Sequence, residues 1–200
     1  MNPGPDVRWR LRVEMLVVLG ISLGQSAVYA LLSLINKLTQ EVALNRQTTS
    51  INASKTPDRP WLDLAYQVAN LMFPLVPVAL VLYLLWVYQR PHGGPLRSMG
   101  FDLRRPGFDL GVGSAVFVGI GAGGLVLYYA SRELGYNTSV SPANLTAAWW
   151  TVPMLLLLAV KNAVLEEVVM VGYLFTRWRQ SGGGILAVLA GSALIRGAYH

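Results

Sequence analysis

Cysteine is absent from the 200 residues, which removes disulfide scaffolds, thiolate zinc sites and cysteine nucleophiles together. Charge is scarce as well. Asp, Glu, Lys and Arg make up 13% of the chain, about half the share usual in a soluble domain. Apolar types reach 54%, and mean hydropathy is +0.45. A water-soluble chain this small could not bury so much apolar surface and still clothe its exterior. A bilayer is therefore the expected solvent. Acidic residues are outnumbered 10 to 16, for a formal net charge of +6 and a pI near 9.8. The basic residues lie mostly between apolar blocks, so anionic lipid headgroups account for the excess better than nucleic acid does.

Five apolar blocks stand out: about Val13 to Ile35, Leu64 to Tyr88, Gly111 to Ala130, Trp149 to Phe175, and Ile185 to His200. A hydrocarbon core of about 30 Å takes about 20 helical residues, a length the first four reach. The pattern predicts an all-α, polytopic transmembrane helix bundle of about five spans, the last incomplete. Three segments are expected: a basic cytoplasmic N-terminus (1–12), N-terminal transmembrane helices with polar loops (13–147), and a core segment (148–200). Arg8, Arg10 and Arg12 before a long apolar run predict a retained signal anchor. Basic residues number nine on the side of the N-terminus (Arg8, Arg10, Arg12, Arg90, Arg97, Arg104, Arg105, Arg177, Arg179). Five fall on the other side (Lys37, Arg46, Lys55, Arg59, Arg132). That bias predicts a cytoplasmic N-terminus. The stretch from Lys37 to Asp63 reads as a solvated connection.

Gly111, Ala115, Gly119 and Gly123 fall four apart, a stripe that lets another helix approach closely in lipid. Gly119, Gly121 and Gly124 satisfy GxGxxG literally, but no strand precedes them, so a dinucleotide loop is excluded. Pro74 and Pro77 predict a kink in the second span.

The informative feature is what interrupts the last two blocks. Glu166 and Glu167 precede Arg177 by about 11 residues, roughly 16 Å along a helix. An ionisable group at that depth must face protein or water. At about 100° per residue Asn162, Glu166, Tyr173 and Arg177 share one face, with Glu167 turned toward a different neighbour and Lys161 off the seam. Ser192, Arg196 and His200 recur at i, i+4 and i+8 on the next block. The short turn Ser181-Gly182-Gly183-Gly184 makes the two helices antiparallel neighbours, so a carboxylate, a guanidinium and an imidazole are expected to meet. A carboxylate there can act as general base on water. The imidazole can donate to a developing oxyanion or share a metal with the carboxylate. The competing reading is a buried Glu166–Arg196 ion pair that locks two helices, and the two readings weigh about evenly.

The string Glu166-Glu167-Val168-Val169-Met170-Val171-Gly172-Tyr173-Leu174, followed by Arg196-Gly197-Ala198-Tyr199-His200, resembles the CPBP intramembrane proteases. That family includes type II CAAX prenyl endopeptidases and bacteriocin-processing (Abi) proteins. The resemblance covers Asn162 to His200. It implies a hydrolase in which Glu166 activates water, Glu167 accompanies it, and His200 helps bind the oxyanion or a metal. Val171 stands where the family has arginine and Arg196 where it has phenylalanine. The missing cation is thus expected to be supplied from the neighbouring helix by Arg196, near Glu167. The third motif of the family is not in the sequence, so the chain is expected to be truncated before it. One histidine with two glutamates is a partial zinc set, so a divalent metal such as zinc is compatible but not required. Implied partners are the bilayer and a peptide or membrane-protein substrate, with no nucleic acid, in a bacterial plasma membrane. The alternative is a non-catalytic scaffold or immunity or sensor protein that keeps the protease-like helices. A transporter subunit finds no internal repeat to support it.

Overall fold

The computed structural model describes residues 4–89, 94–102, 104–145 and 148–199. A helical bundle is observed. Its first rod runs from Pro5 to Leu38 as α1 (Pro5–Leu19), a π-helical stretch (Gly20–Gly24) and α2 (Gln25–Leu38). Pro5 opens it, where a missing N–H costs nothing. Residues 5–12 of the expected basic tail are therefore helix. The rod belongs to the core, since Met15, Val18 and Leu23 are buried.

The second rod is α3 (Pro60–Met72), a 3₁₀ turn (Phe73–Leu75) and α4 (Val76–Gln89). Where the prolines were expected to kink this span, the α geometry gives way to a tighter 3₁₀ turn, because Pro74 has no N–H to give. A short α5 (Gly94–Ser98) leads to α6 (Pro106–Glu133). The fourth rod is α7 (Thr151–Leu165), a π-helical stretch (Glu166–Tyr173) and α8 (Leu174–Gln180). α9 (Ile185–Tyr199) follows after the glycine turn. By length and composition Pro5–Leu38, Pro60–Val87 and Pro106–Glu133 could each cross a membrane, and Ile185–Ala198 is a shorter apolar helix. The fourth rod carries Lys161, Glu166 and Glu167 in its middle.

The core lies where α1, α4, the second π stretch and α8 meet. Val81, Val169, Met170 and Tyr173 are wholly buried there. Met99 packs so tightly on Gly172 that a Cβ there would overlap its sulfur, and Arg8 lies beside Gly182. The N-terminus, the α5 connection and the α8–α9 turn therefore share one end of the bundle.

The other end holds a feature the sequence reading missed. The stretch after Lys37 contains a strand. β1 (Thr48–Ala53) pairs in parallel with β2 (Ser139–Asn144), Ser50 opposite Ser141. Lys37 Nζ donates to Thr49 Oγ1 at 2.7 Å, and the Thr49 and Thr138 hydroxyls are 2.7 Å apart. The Gln47 amide donates to the carbonyls of Lys37 and Val42. Asp63 accepts from the Lys55 N–H at 2.9 Å and from Gln67 at 2.7 Å. The supposed solvated connection is thus tied down at both ends. Trp61, Trp149 and Trp150 cluster near this end, with centroids 4.9 Å (Trp61–Trp150) and 5.6 Å (Trp149–Trp150) apart, as aromatic side chains do at a membrane surface.

One packing expectation is overturned. α6 has no buried residue, and nothing lies within 4 Å of a Cβ placed at Gly111, Gly119 or Gly123. The glycine stripe receives no other described helix of this chain. Its spacing permits close approach, but contact needs a partner surface that the fold does not put there.

Candidate functional site

A cavity of about 410 Å³ opens where three helices leave α geometry together. Its walls are Ile21, Ser22 and Leu23 of the first π stretch with Gln25 and Ser26 beyond, Phe73, Pro74 and Pro77 around the 3₁₀ turn, and Lys161, Asn162, Leu165 and Glu166 at the start of the second π stretch. Each irregularity has a local cause. Gly20 and Gly24 bracket the first, Pro74 forces the second, and Val168, Val169 and Val171 crowd the third with β-branched side chains. π-turns are rare and concentrate at functional sites. Here they widen the bundle and turn polar groups inward. Ser22 donates back to the Val18 carbonyl at 2.7 Å, a bond that bends helices.

Glu166 lines this cavity, its side chain 26% exposed, and Arg196 Nη1 of α9 lies 3.7 Å from Glu166 Oε2. The expected meeting of the two seams therefore occurs between these residues. The pair is loose. At 3.7 Å and with Arg196 38% exposed, it has neither the short contact nor the dryness of a strong ion pair. The Arg196 Nε–H is buried and has no acceptor among the described residues.

Two expectations change. Arg196 pairs with Glu166, as the competing ion-pair reading has it though the pair is part-exposed, and not with Glu167, where the exchange with Val171 placed it. Glu167 is exposed, with no cation within ion-pair distance among the described residues. The π stretch explains this, because its i→i+5 bonding shifts which residues stack above one another. Lys161, expected off the seam, lines the same cavity as Glu166. His200 lies outside the described residues, so its expected place opposite Glu166 is not among the observed contacts.

The polar seam Asn162–Glu166–Tyr173–Arg177 is divided by neighbour. Asn162 and Glu166 face the cavity. Tyr173 and Arg177 are buried against α1. Tyr173 Oη donates to Glu14 Oε1 at 2.9 Å, and Arg177 Nε lies 2.9 Å from the same oxygen. Arg177 Nη1 donates to Gln180 Oε1 at 3.0 Å, and its guanidinium sits 5.7 Å from the Tyr173 ring centre. Arg177 is thus no loop cation: its side chain is 3% exposed. Glu14, Ser22 and Gln25 were not singled out from the sequence. The signal was available: a carboxylate, then a hydroxyl and an amide, interrupt the first apolar block, as the glutamates interrupt the fourth.

The described residues bring no three metal-ligating side chains together, and Glu166 is the one carboxylate lining the cavity. His200, the imidazole that would complete such a set, lies outside the described residues.

The family model for type II CAAX prenyl endopeptidase, Rce1-like, matches residues 148–200. The match spans both polar seams and supports the resemblance carried by the paired glutamates. No curated protein and no solved structure matches the chain. The matched segment is protease-like and the protein is an integral membrane protein.

Proposed function

Proceeding from the protease-like segment 148–200, we propose that the chain is an intramembrane endopeptidase that hydrolyses a peptide bond with water activated by Glu166. The observation that carries this is the polar cavity inside an apolar bundle, with Glu166 on its wall and Arg196 beside it. Water entering the cavity meets Glu166, which accepts its proton as the oxygen adds to the scissile carbonyl carbon. The unused Arg196 Nε–H donates to the oxyanion as it develops. The proton held by Glu166 then passes to the leaving nitrogen as the oxyanion collapses and the C–N bond breaks, so a new carboxyl group and a free amine result and Glu166 is again a carboxylate. Asn162, on the same wall, offers an amide to orient water or the peptide. His200, by resemblance, adds to the oxyanion site. Glu167, exposed on the next face, serves as companion charge and not as base.

The substrate is a membrane-associated peptide: a prenylated tail, a leader peptide or a membrane protein. The proposed setting is a bacterial plasma membrane with the N-terminus in the cytoplasm, from the excess of basic residues at that end.

One observation favours a second reading. Glu166 and Arg196 already face each other, so the same residues could lock α9 to the fourth rod in a non-catalytic scaffold or sensor. Glu166→Gln separates the two. Assayed in membranes on a library of membrane-anchored peptides, the variant loses about a thousandfold in cleavage while its melting temperature stays near wild type. Unchanged cleavage removes Glu166 from the mechanism. A large fall in melting temperature with no cleavage by either protein favours the scaffold.

A further inference from the structure

A second cavity, of about 400 Å³, lies between α1, α8 and α9, away from Glu166. Its walls are apolar, formed chiefly by Met15, Leu19, Leu174, Val188 and Ile195, with Trp178 beside them. Two features set it apart from a plain gap between helices. Arg12 is on its rim, and Arg8, one turn earlier on the same face of α1, lies beside Gly182 in the α8–α9 turn. Both arginines are exposed, and no acid pairs with either among the described residues. The Trp178 indole closes the wall between them, its Nε1 edge packed against Gly183 of the same turn.

We propose that this groove binds one acyl chain of an anionic phospholipid, with the phosphate held by Arg8 and Arg12 at the rim. The charge fits: two free guanidinium groups recognise phosphate through paired N–H donors. The shape fits: the volume is that of a small-molecule site lined by apolar side chains. The site lies at the end of the bundle where basic residues accumulate, so headgroup and chain enter from one leaflet. The proposal is independent of whether Glu166 is catalytic.

Native mass spectrometry of the full chain in mild detergent, titrated with phosphatidylglycerol or phosphatidylcholine, tests it. One phosphatidylglycerol per chain is retained at concentrations where phosphatidylcholine is not. Arg8→Ala and Arg12→Ala each lower that preference about fivefold. Both positions are exposed, so neither change disturbs the fold. Gly191→Leu fills the groove from its wall, where a Cβ meets nothing within 4 Å, and abolishes retention of the bound lipid. Glycerol phosphate, a headgroup without chains, does not displace it. Equal retention of the two lipids, retention unchanged in Arg12→Ala or Gly191→Leu, or displacement by glycerol phosphate overturns the proposal.

Discussion

Arg177 and Glu14, from near opposite ends of the chain, join inside the bundle: Arg177 Nε lies 2.9 Å from Glu14 Oε1, with the arginine side chain 3% and the glutamate 21% exposed. Tyr173 donates to the same carboxylate oxygen. This three-residue knot clamps the first rod against the fourth, so the two π stretches that frame the cavity are held at opposite ends of one contact. The α1 face that carries Glu14 thus positions the wall that carries Glu166.

Breaking that knot from one side leaves a charge buried without its partner. Arg177→Met is expected to destabilise by about 3 kcal/mol, and Glu14→Gln by somewhat less because Glu14 is partly exposed. The double variant Glu14→Leu, Arg177→Met recovers much of the loss, since an apolar pair needs no compensating charge. Thermal unfolding in detergent, run as a double-mutant cycle, reads the coupling. Additive losses would show that the two residues do not stabilise each other.

Val171 sits five residues after Glu166 within the π stretch, where i→i+5 bonding brings such positions together. An arginine there is expected to reach Glu166 and replace the cation now supplied by Arg196. Arg196→Phe alone lowers cleavage to below about a tenth of wild type, and adding Val171→Arg restores most of it. A double variant as inactive as the single one rules out the exchange.

The parallel pairing of β1 with β2 makes a prediction suited to a cysteine-free chain. Ser50 and Ser141 are opposed, so Ser50→Cys with Ser141→Cys closes a disulfide under mild oxidation, within the usual Cα separation of about 4.4–6.8 Å. Ser50→Cys with Val140→Cys does not, because a one-residue slip puts the thiols on opposite faces. Gel mobility after cleavage between the strands distinguishes linked from unlinked chains. Equal cross-linking of both pairs would mean the register is not held.

Two glycines are expected to respond in opposite ways. A Cβ at Gly183 overlaps the Trp178 indole, and Gly183→Ala is expected to cost about 2 kcal/mol through overpacking. A Cβ at Gly119 meets nothing, and Gly119→Ala should stabilise by about 0.5 kcal/mol through helix propensity and a less flexible unfolded chain. Melting temperatures of the two variants check the contrast, and a loss at Gly119 equal to that at Gly183 would place a packed neighbour on α6.

Helix, bilayer and the polar seam of the fourth block were legible because each is a local property. Apolar runs of span length need a hydrocarbon solvent whatever packs beside them. Adjacent glutamates deep in such a run must face protein or water wherever the chain leads. The break at Pro74 follows from one missing N–H. Glu14 was not found, because a single carboxylate near the end of a span can reach water by itself, and only the tertiary structure shows that it turns to Arg177 and Tyr173. β1 escaped because Thr48–Ala53 is short and polar, and a strand of that kind exists only when a partner supplies the ladder.

Sequence alone therefore determined a largely helical membrane protein with acidic groups that had to meet protein or water, since span length and the energy of charge in oil depend on composition and spacing. Tertiary structure decided what each of them meets. Which cation meets Glu166, which carboxylate meets Arg177, and that α6 keeps its glycine face uncovered all depend on the relative phase of neighbouring rods. That phase is set by two π stretches and a 3₁₀ turn, and a uniform turn of about 100° per residue cannot anticipate it.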